Sequence, residues 1–402
     1  MTLKKLPLKN DPVITSECWT YYKMAIIETH PNAKAWLASH MKLMSTMFPF
    51  TKSFYGENMH IHNMYYYGEI LIIEEINPLY LMDNFEFSEK LVAEIDSGNY
   101  IVIYCNIPTL DDINSDEIFA HEILLYGYDT KRKVFYTLHS PTYGYDTERK
   151  VHYILQFPTK EPDGGLLVSF STLEIAYKRM MDNWNIDPSS IYTKREIEFT
   201  VARMHLREDY SGCNAVYDAI ERIENEMDGT ESVRKSYDEF GNLLTEKTSV
   251  MGLANIPLLQ EAVRDIIANP VKNDVRGVPL SQNIMPIFRK FCEMRKLIHI
   301  SIEYVISALG IDDLSALAVA DEYSECIKNM EKMLYMGTKF RMTGNTNILL
   351  RIDQELESQH VKELRCLSIF HKIASKVFFD KEIALHNNRK DNINFQKALC
   401  NP

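Results

Sequence analysis

A chain of 402 residues with 46% hydrophobic and 25% charged side chains has the composition of a folded protein and the length of two or three domains, which excludes a disordered chain and a minimal module. Its 44 Lys and Arg against 56 Asp and Glu leave a net charge of −12, the wrong sign for a protein that neutralises phosphates, so no nucleic-acid partner is expected. No window reaches the ~18 apolar residues of a spanning helix and the N-terminus has no signal-type apolar run, so the chain is expected to be cytoplasmic, without a membrane partner.

In chain order, the first predicted element is a helix from about Glu17 to His30. Trp19, Tyr22, Met24, Ala25 and Ile26 share one side of it, and His30-Pro31-Asn32 ends it. Ser16 is a plausible N-cap, which puts Cys18 in the first turn, where unpaired N–H groups stabilise a thiolate. From Glu69 to Phe170 short β-rich runs alternate with turn residues: 69–73, 100–104, 122–126, 134–138 and 151–155. They predict an antiparallel sheet. A helix is predicted over Ser88 to Ser97, ending at Gly98. The turn Gly127 to Lys133 joins two of the runs into a hairpin from about Glu122 to Leu138.

After Ser171 the period becomes helical, over 171–184, 212–227, 257–268, 280–309, 313–336 and 347–379. The segment Leu280 to Leu309 is apolar nearly all round and reads as a central buried helix, expected to wall an acceptor site. Residues 228–252 and 270–279 read as linkers, and 387–402 as a polar tail. The expected fold is α+β: a domain over 1–170 with a Cys-bearing helix and a His-bearing antiparallel sheet, then a mainly helical domain over 171–402. The helical half can be a dimerisation unit, which would make the protein a homodimer, or a substrate lid, or scaffold.

Several chemistries lack their signatures. There is no GxGxxG, no P-loop and no GxSxG. His121-Glu122 has Leu125 where a zincin has its second His, and His60-Ile61-His62, with His30 and His40 as distant helpers, has no carboxylate or Cys beside it, so no metal is expected. The seven cysteines are widely spaced with no CxxC and read as free thiols. Gly212-Cys213-Asn214 repeats the Cys-at-a-helix-start pattern but no His is paired with it.

Cysteine acyl transfer needs a thiolate, an imidazole to move its proton, and donors for the oxyanion. Cys18 at a helix start and His121 at a strand start supply the first two. The stretch Ile95-Asp96-Ser97-Gly98-Asn99-Tyr100-Ile101-Val102-Ile103-Tyr104-Cys105-Asn106, followed by Ala120-His121-Glu122-Ile123-Leu124-Leu125-Tyr126-Gly127-Tyr128-Asp129, resembles papain-like cysteine enzymes of the bacteriocin-leader-peptidase type. It is most similar to the N-terminal domain of the butirosin acyltransferase group, over about residues 10 to 160.

That resemblance implies an amide-forming acyltransferase of natural-product biosynthesis. An acyl group would pass from the phosphopantetheine thioester of an acyl or peptidyl carrier protein, through Cys18, to a small amine, with no cofactor bound by the chain itself. The basic tip Lys131-Arg132-Lys133 would offer an acidic carrier a landing site, and Tyr65-Tyr66-Tyr67 and Tyr21-Tyr22 would line a channel or simply belong to the core.

Two features depart from the family pattern. Where the family has Asp or Asn after the His strand, this chain has Leu138-His139-Ser140-Pro141, so Ser140 occupies the orienting position with no charge to offer, and His139 or Asp129 are alternatives in space. The oxyanion Gln is missing, and the nearest amide is Asn10. The rival readings are a cysteine peptidase or thioesterase on the same fold, and a non-catalytic binder of a metabolite or carrier.

Overall fold

The computed structural model describes residues 2–16, 18–40, 44–49, 59–61, 67–77, 81, 86–116, 118–139, 144–146, 151–153, 166–186, 201–212, 214–229, 231–237, 243–269 and 280–391. The protein is mixed α+β with antiparallel sheets, and it divides into two compact units, residues 1–33 with 65–211, and 34–64 with 212–402.

The first unit carries β1 (Leu3–Lys5), α1 (Cys18–Ile27), β4 (Leu71–Glu75), α3 (Phe87–Asp96), β5 (Tyr100–Asn106), α4 (Ile107–Asp111), β6 (Ala120–Asp129), β7 (Val134–Leu138), β8 (Gly144–Asp146), β9 (Val151–Tyr153), β10 (Leu166–Ser169), α5 (Phe170–Ile186) and β11 (Val201–Leu206). The second carries all but the first residue of α2 (Ala33–His40), together with β2 (Met44–Pro49), β3 (Met59–Ile61), α6 (Ala215–Asp228), β12 (Glu231–Tyr237), β13 (Leu243–Met251), α7 (Asn255–Ala268), α8 (Leu280–Leu309), α9 (Leu314–Thr343) and α10 (Thr346–Asp391).

A seven-stranded antiparallel sheet organises the first unit in the order β10-β7-β6-β5-β11-β4, with β1 paired to the far end of β6. The alternating residues Ile101 and Ile103 of β5, Ile123 and Leu125 of β6 and Phe135 of β7 are buried against Leu91 and Ile95 of α3 and Leu173, Tyr177 and Met180 of α5. The predicted hairpin is present as β6 and β7, with a bulge between Leu125 and Gly127. Gly127 is required there, because a Cβ would come within 2.5 Å of the Lys4 carbonyl of β1. Asp129 builds the turn by accepting from the N–H groups of Lys131 and Arg132.

Two expectations are corrected. The boundary predicted at residue 170 falls inside the first unit, because α5 gives its apolar face to β5 and β11 lies between β5 and β4. Residues 228–252 are not a linker. Among their described residues β12 and β13 pair antiparallel, β13 pairs on with β2, and β2 with β3, as a four-stranded sheet. The second half is therefore not purely helical.

In the second unit α8 is the buried centre, with Phe288, Phe291, Met294, Leu297, Ile298, Ile302 and Val305 all enclosed. Asp313 caps α9 by accepting from the N–H groups of Ser315 and Ala316, and Gly344 ends it in the left-handed conformation. Among the described residues no helix is long and apolar enough to cross a membrane.

Candidate active site

The helix α1 starts at Cys18, where the sequence predicted it. It is enclosed on all sides rather than on one: Tyr21, Tyr22, Met24, Ala25, Ile26 and Ile27 are all buried. The chain before it folds back along it. Lys9 N–H donates to the Ala25 carbonyl at 2.9 Å, Tyr21 Oη to the Asn10 carbonyl at 3.2 Å, and Val13 N–H to Glu28 Oε1 at 2.6 Å. Asn10, the amide closest in sequence to Cys18, is thus held against α1 through its backbone.

The other predicted partner, His121, is the second residue of β6, opposite Cys105 of β5. The loop leading to it is fixed by Asn106, fully buried, which donates to Thr109 Oγ1 at 2.8 Å and accepts from Phe119 N–H at 2.7 Å. The His121 ring lies between Phe119, stacked at 5.8 Å between centroids, and His139, at 5.2 Å.

One carbonyl joins helix and strand. The backbone oxygen of Glu122 accepts from Tyr22 Oη of α1 at 2.8 Å and lies 3.1 Å from His121 Nδ1. A carbonyl can only accept, so in this bond Nδ1 is the donor. The buried carboxylate of the same residue stands 3.5 Å from Nδ1. In a regular strand neighbouring side chains point to opposite faces, so this contact means that the His121 ring folds back along the rim of the sheet toward Glu122. Position 18 is four residues before Tyr22 on the same face of α1, about 6 Å along its axis.

Of the predicted site residues, His121 lies on the strand that Tyr22, four residues after Cys18 on α1, joins to that helix. The Cys18 side chain and all of Ser140 lie outside the described residues. Of the two alternatives to Ser140, His139 is at the site and Asp129 is not, since it is spent in the turn at the other end of β6. Glu122 was missed as an orienting group. Its signal in the sequence was the pair His121-Glu122, which strand alternation argued against.

Cys105 is the competing thiol. It is fully buried, and desolvation together with the nearby Glu122 carboxylate pushes its thiol far above the usual range, so it stays protonated and inert. Cys292 is pushed up to about 12 by burial. His30 is occupied structurally, with Nδ1 accepting from Asn32 N–H and Nε2 donating to the Arg207 carbonyl. Among the described residues no three metal-ligating side chains come together.

The exposed basic tip Lys131 to Lys133 is at the opposite end of β6 from His121, roughly 25 Å away at the rise of an extended strand. Tyr65 and Tyr66 lie outside the described residues, whereas Tyr21 and Tyr22 belong to the core. No protein-family model matches the chain, and no curated protein matches it.

Proposed function

We infer that the protein is a papain-like cysteine acyltransferase that forms amide bonds, with Cys18 as nucleophile and His121 as base. The observation that carries this reading is the shared Glu122 carbonyl, which ties the helix opened by Cys18 to the ring of His121 with Nδ1 as donor, so that Nε2 is the nitrogen assigned here to proton transfer.

In the reaction, Nε2 takes the Cys18 thiol proton and the sulfur attacks the carbonyl of a carrier-bound thioester. The carbon–sulfur bond to the phosphopantetheine arm breaks, and the leaving thiolate takes the proton from the imidazolium. A small amine then attacks the acyl-Cys18 thioester, the bond to Cys18 breaks, and the proton lost by the amine returns through Nε2 to the Cys18 sulfur. The Glu122 carboxylate supports the imidazolium, the role the family pattern would have given to position 140. The first turn of α1 favours the thiolate and lends backbone N–H groups to the oxyanion.

The test is intact mass after incubation with acyl thioesters. A covalent acyl adduct is expected on the wild type and none on Cys18→Ala, and added amine should discharge the adduct to amide. Free acid whatever the amine would make the protein a thioesterase or peptidase, and an unmodified wild type would favour a binding protein. Because the basic tip is remote from His121, charge reversal at Lys131 and Arg132 is expected to leave transfer from the carrier unchanged; a large loss of rate would put the carrier at the tip.

A further inference from the structure

In the second unit, six polar side chains from four helices are buried together: Arg222 and Glu226 of α6, Arg295 of α8, Tyr323 of α9, and Gln359 and Glu363 of α10, none more than 5% exposed. Part of their bonding capacity is used. Arg295 Nε lies 3.1 Å from both Glu363 oxygens, Gln359 Nε2 donates to Glu363 Oε1 and to the Cys326 carbonyl, and Arg222 Nη1 donates to the carbonyls of Leu37 and Ala38.

The rest is not. Nε and Nη2 of Arg222, Nη2 of Arg295, Oη of Tyr323, Oε2 of Glu226 and Oε1 of Gln359 are buried without a partner among the described residues. Leaving that many buried groups unpaired would cancel much of a domain's stability, so these atoms call for polar partners beyond the side chains around them.

The chemistry of such a partner follows from the imbalance. The free donors are five N–H bonds, one on Arg222 Nε and two on each Nη2, plus the Tyr323 hydroxyl; the free acceptors are one carboxylate oxygen and one amide oxygen. Charge leans the same way. Burial raises the Glu226 carboxyl to about 7 against the opposing pull of Arg295 and Arg222, and lowers His360, while of the two guanidiniums Arg295 engages the one other carboxylate of the cluster, Glu363. Water brings donors and acceptors in equal number and no charge, and does not match this surplus.

We propose that this cluster binds a small carboxylic acid carrying a neighbouring amino or hydroxyl group, its carboxylate on the free edges of Arg222 and Arg295 and its donor on Gln359 Oε1 and Glu226 Oε2. The site lies within the second unit and does not depend on the acyl-transfer reading.

The test uses the full chain with L-alanine, L-lactate and propionate, which share one carbon skeleton, and inorganic phosphate as a control anion. Calorimetric titration is run beside mass analysis of small acids released on denaturing the purified protein. Saturable binding of alanine or lactate at least tenfold tighter than propionate, or stoichiometric release of such an acid, is the expected result, with binding weakened tenfold or more in Arg222→Met. If that variant fails to fold by circular dichroism, Tyr323→Phe serves, since it deletes an atom with no partner, should leave folding intact and should still weaken binding severalfold. Neither titratable binding nor a released acid, or binding unchanged in Tyr323→Phe and in any folded Arg222→Met, would reduce the cluster to a hydrated polar core.

Discussion

At the scale of single residues the site turns on Tyr22. Its hydroxyl joins α1 to the His121 strand, and its partner is a backbone oxygen that also engages the imidazole. Tyr22→Phe keeps the ring in the core and deletes that bond. The expected cost is about 1 kcal/mol of stability, and, under the proposed acyl-transfer function, a fall in the rate of Cys18 acylation with the acidic limb of its pH profile displaced, because the helix and the ring lose their common anchor. A purely structural role would leave that profile where it is. Cys105, although it faces His121 across the strands, is expected to resist alkylation at neutral pH, which peptide mapping after brief iodoacetamide treatment would show, because burial and Glu122 hold it as a thiol.

At the scale of elements the informative case is the strand pair β12–β13. Its composition of Ser, Glu, Lys and Thr reads as a linker, yet Val233 and Val250 are β-branched residues on two strands that pair with each other, and β13 finds a further partner in β2, about 200 residues away in sequence, with Lys247 opposite Pro49 and Met251 opposite Ser45. β13 gives way to Gly252, which has φ +60° and would bring a Cβ within 2.3 Å of the Glu226 carbonyl at the end of α6. Gly252→Ala is therefore strained both by backbone and by contact, and is expected to destabilise the second unit by about 2 kcal/mol or more, read as a lowered urea midpoint. A substitution at Gly310, whose Cβ would meet nothing within 4 Å, carries only the backbone strain and is the control.

At the scale of the molecule, among the described residues each unit holds a carboxyl raised to about 7: Glu28, half-buried and desolvated beside α1 with the Val13 N–H and Lys9 opposing and Asp11 adding to the shift, and Glu226, buried in the helical unit with Arg295 and Arg222 opposing and Glu363 adding. In the unfolded chain both ionise near the ordinary glutamate value of about 4.3. Between that value and 7 the folded state holds protons that the unfolded state has released, so stability falls as pH rises across this window, by at most about 1.4 kcal/mol per pH unit for each group. Urea midpoints at pH 5 and pH 7.5 should show the decline, and Glu28→Gln and Glu226→Gln together should flatten it; a stability that climbs over that interval would contradict the desolvation of both.

Much of this was legible from the chain itself. The helix start near Cys18, the strands predicted over 100–104 and 122–126 and found somewhat longer, the hairpin turn and the central helix 280–309 all follow from local period, capping and turn chemistry, which act over a few residues. Tertiary structure alone decided the rest. The insertion of β11 between β5 and β4, and the grouping of residues 34–64 with 212–402, depend on pairings between segments far apart in sequence, for which local pattern carries no signal. Glu122 as the partner of His121 depends on a departure from strand alternation at the sheet rim, and the buried cluster of Arg222, Glu226, Arg295 and Glu363 depends on four helices meeting. In sequence those four are ordinary charges on amphipathic helices, and only packing takes them out of water.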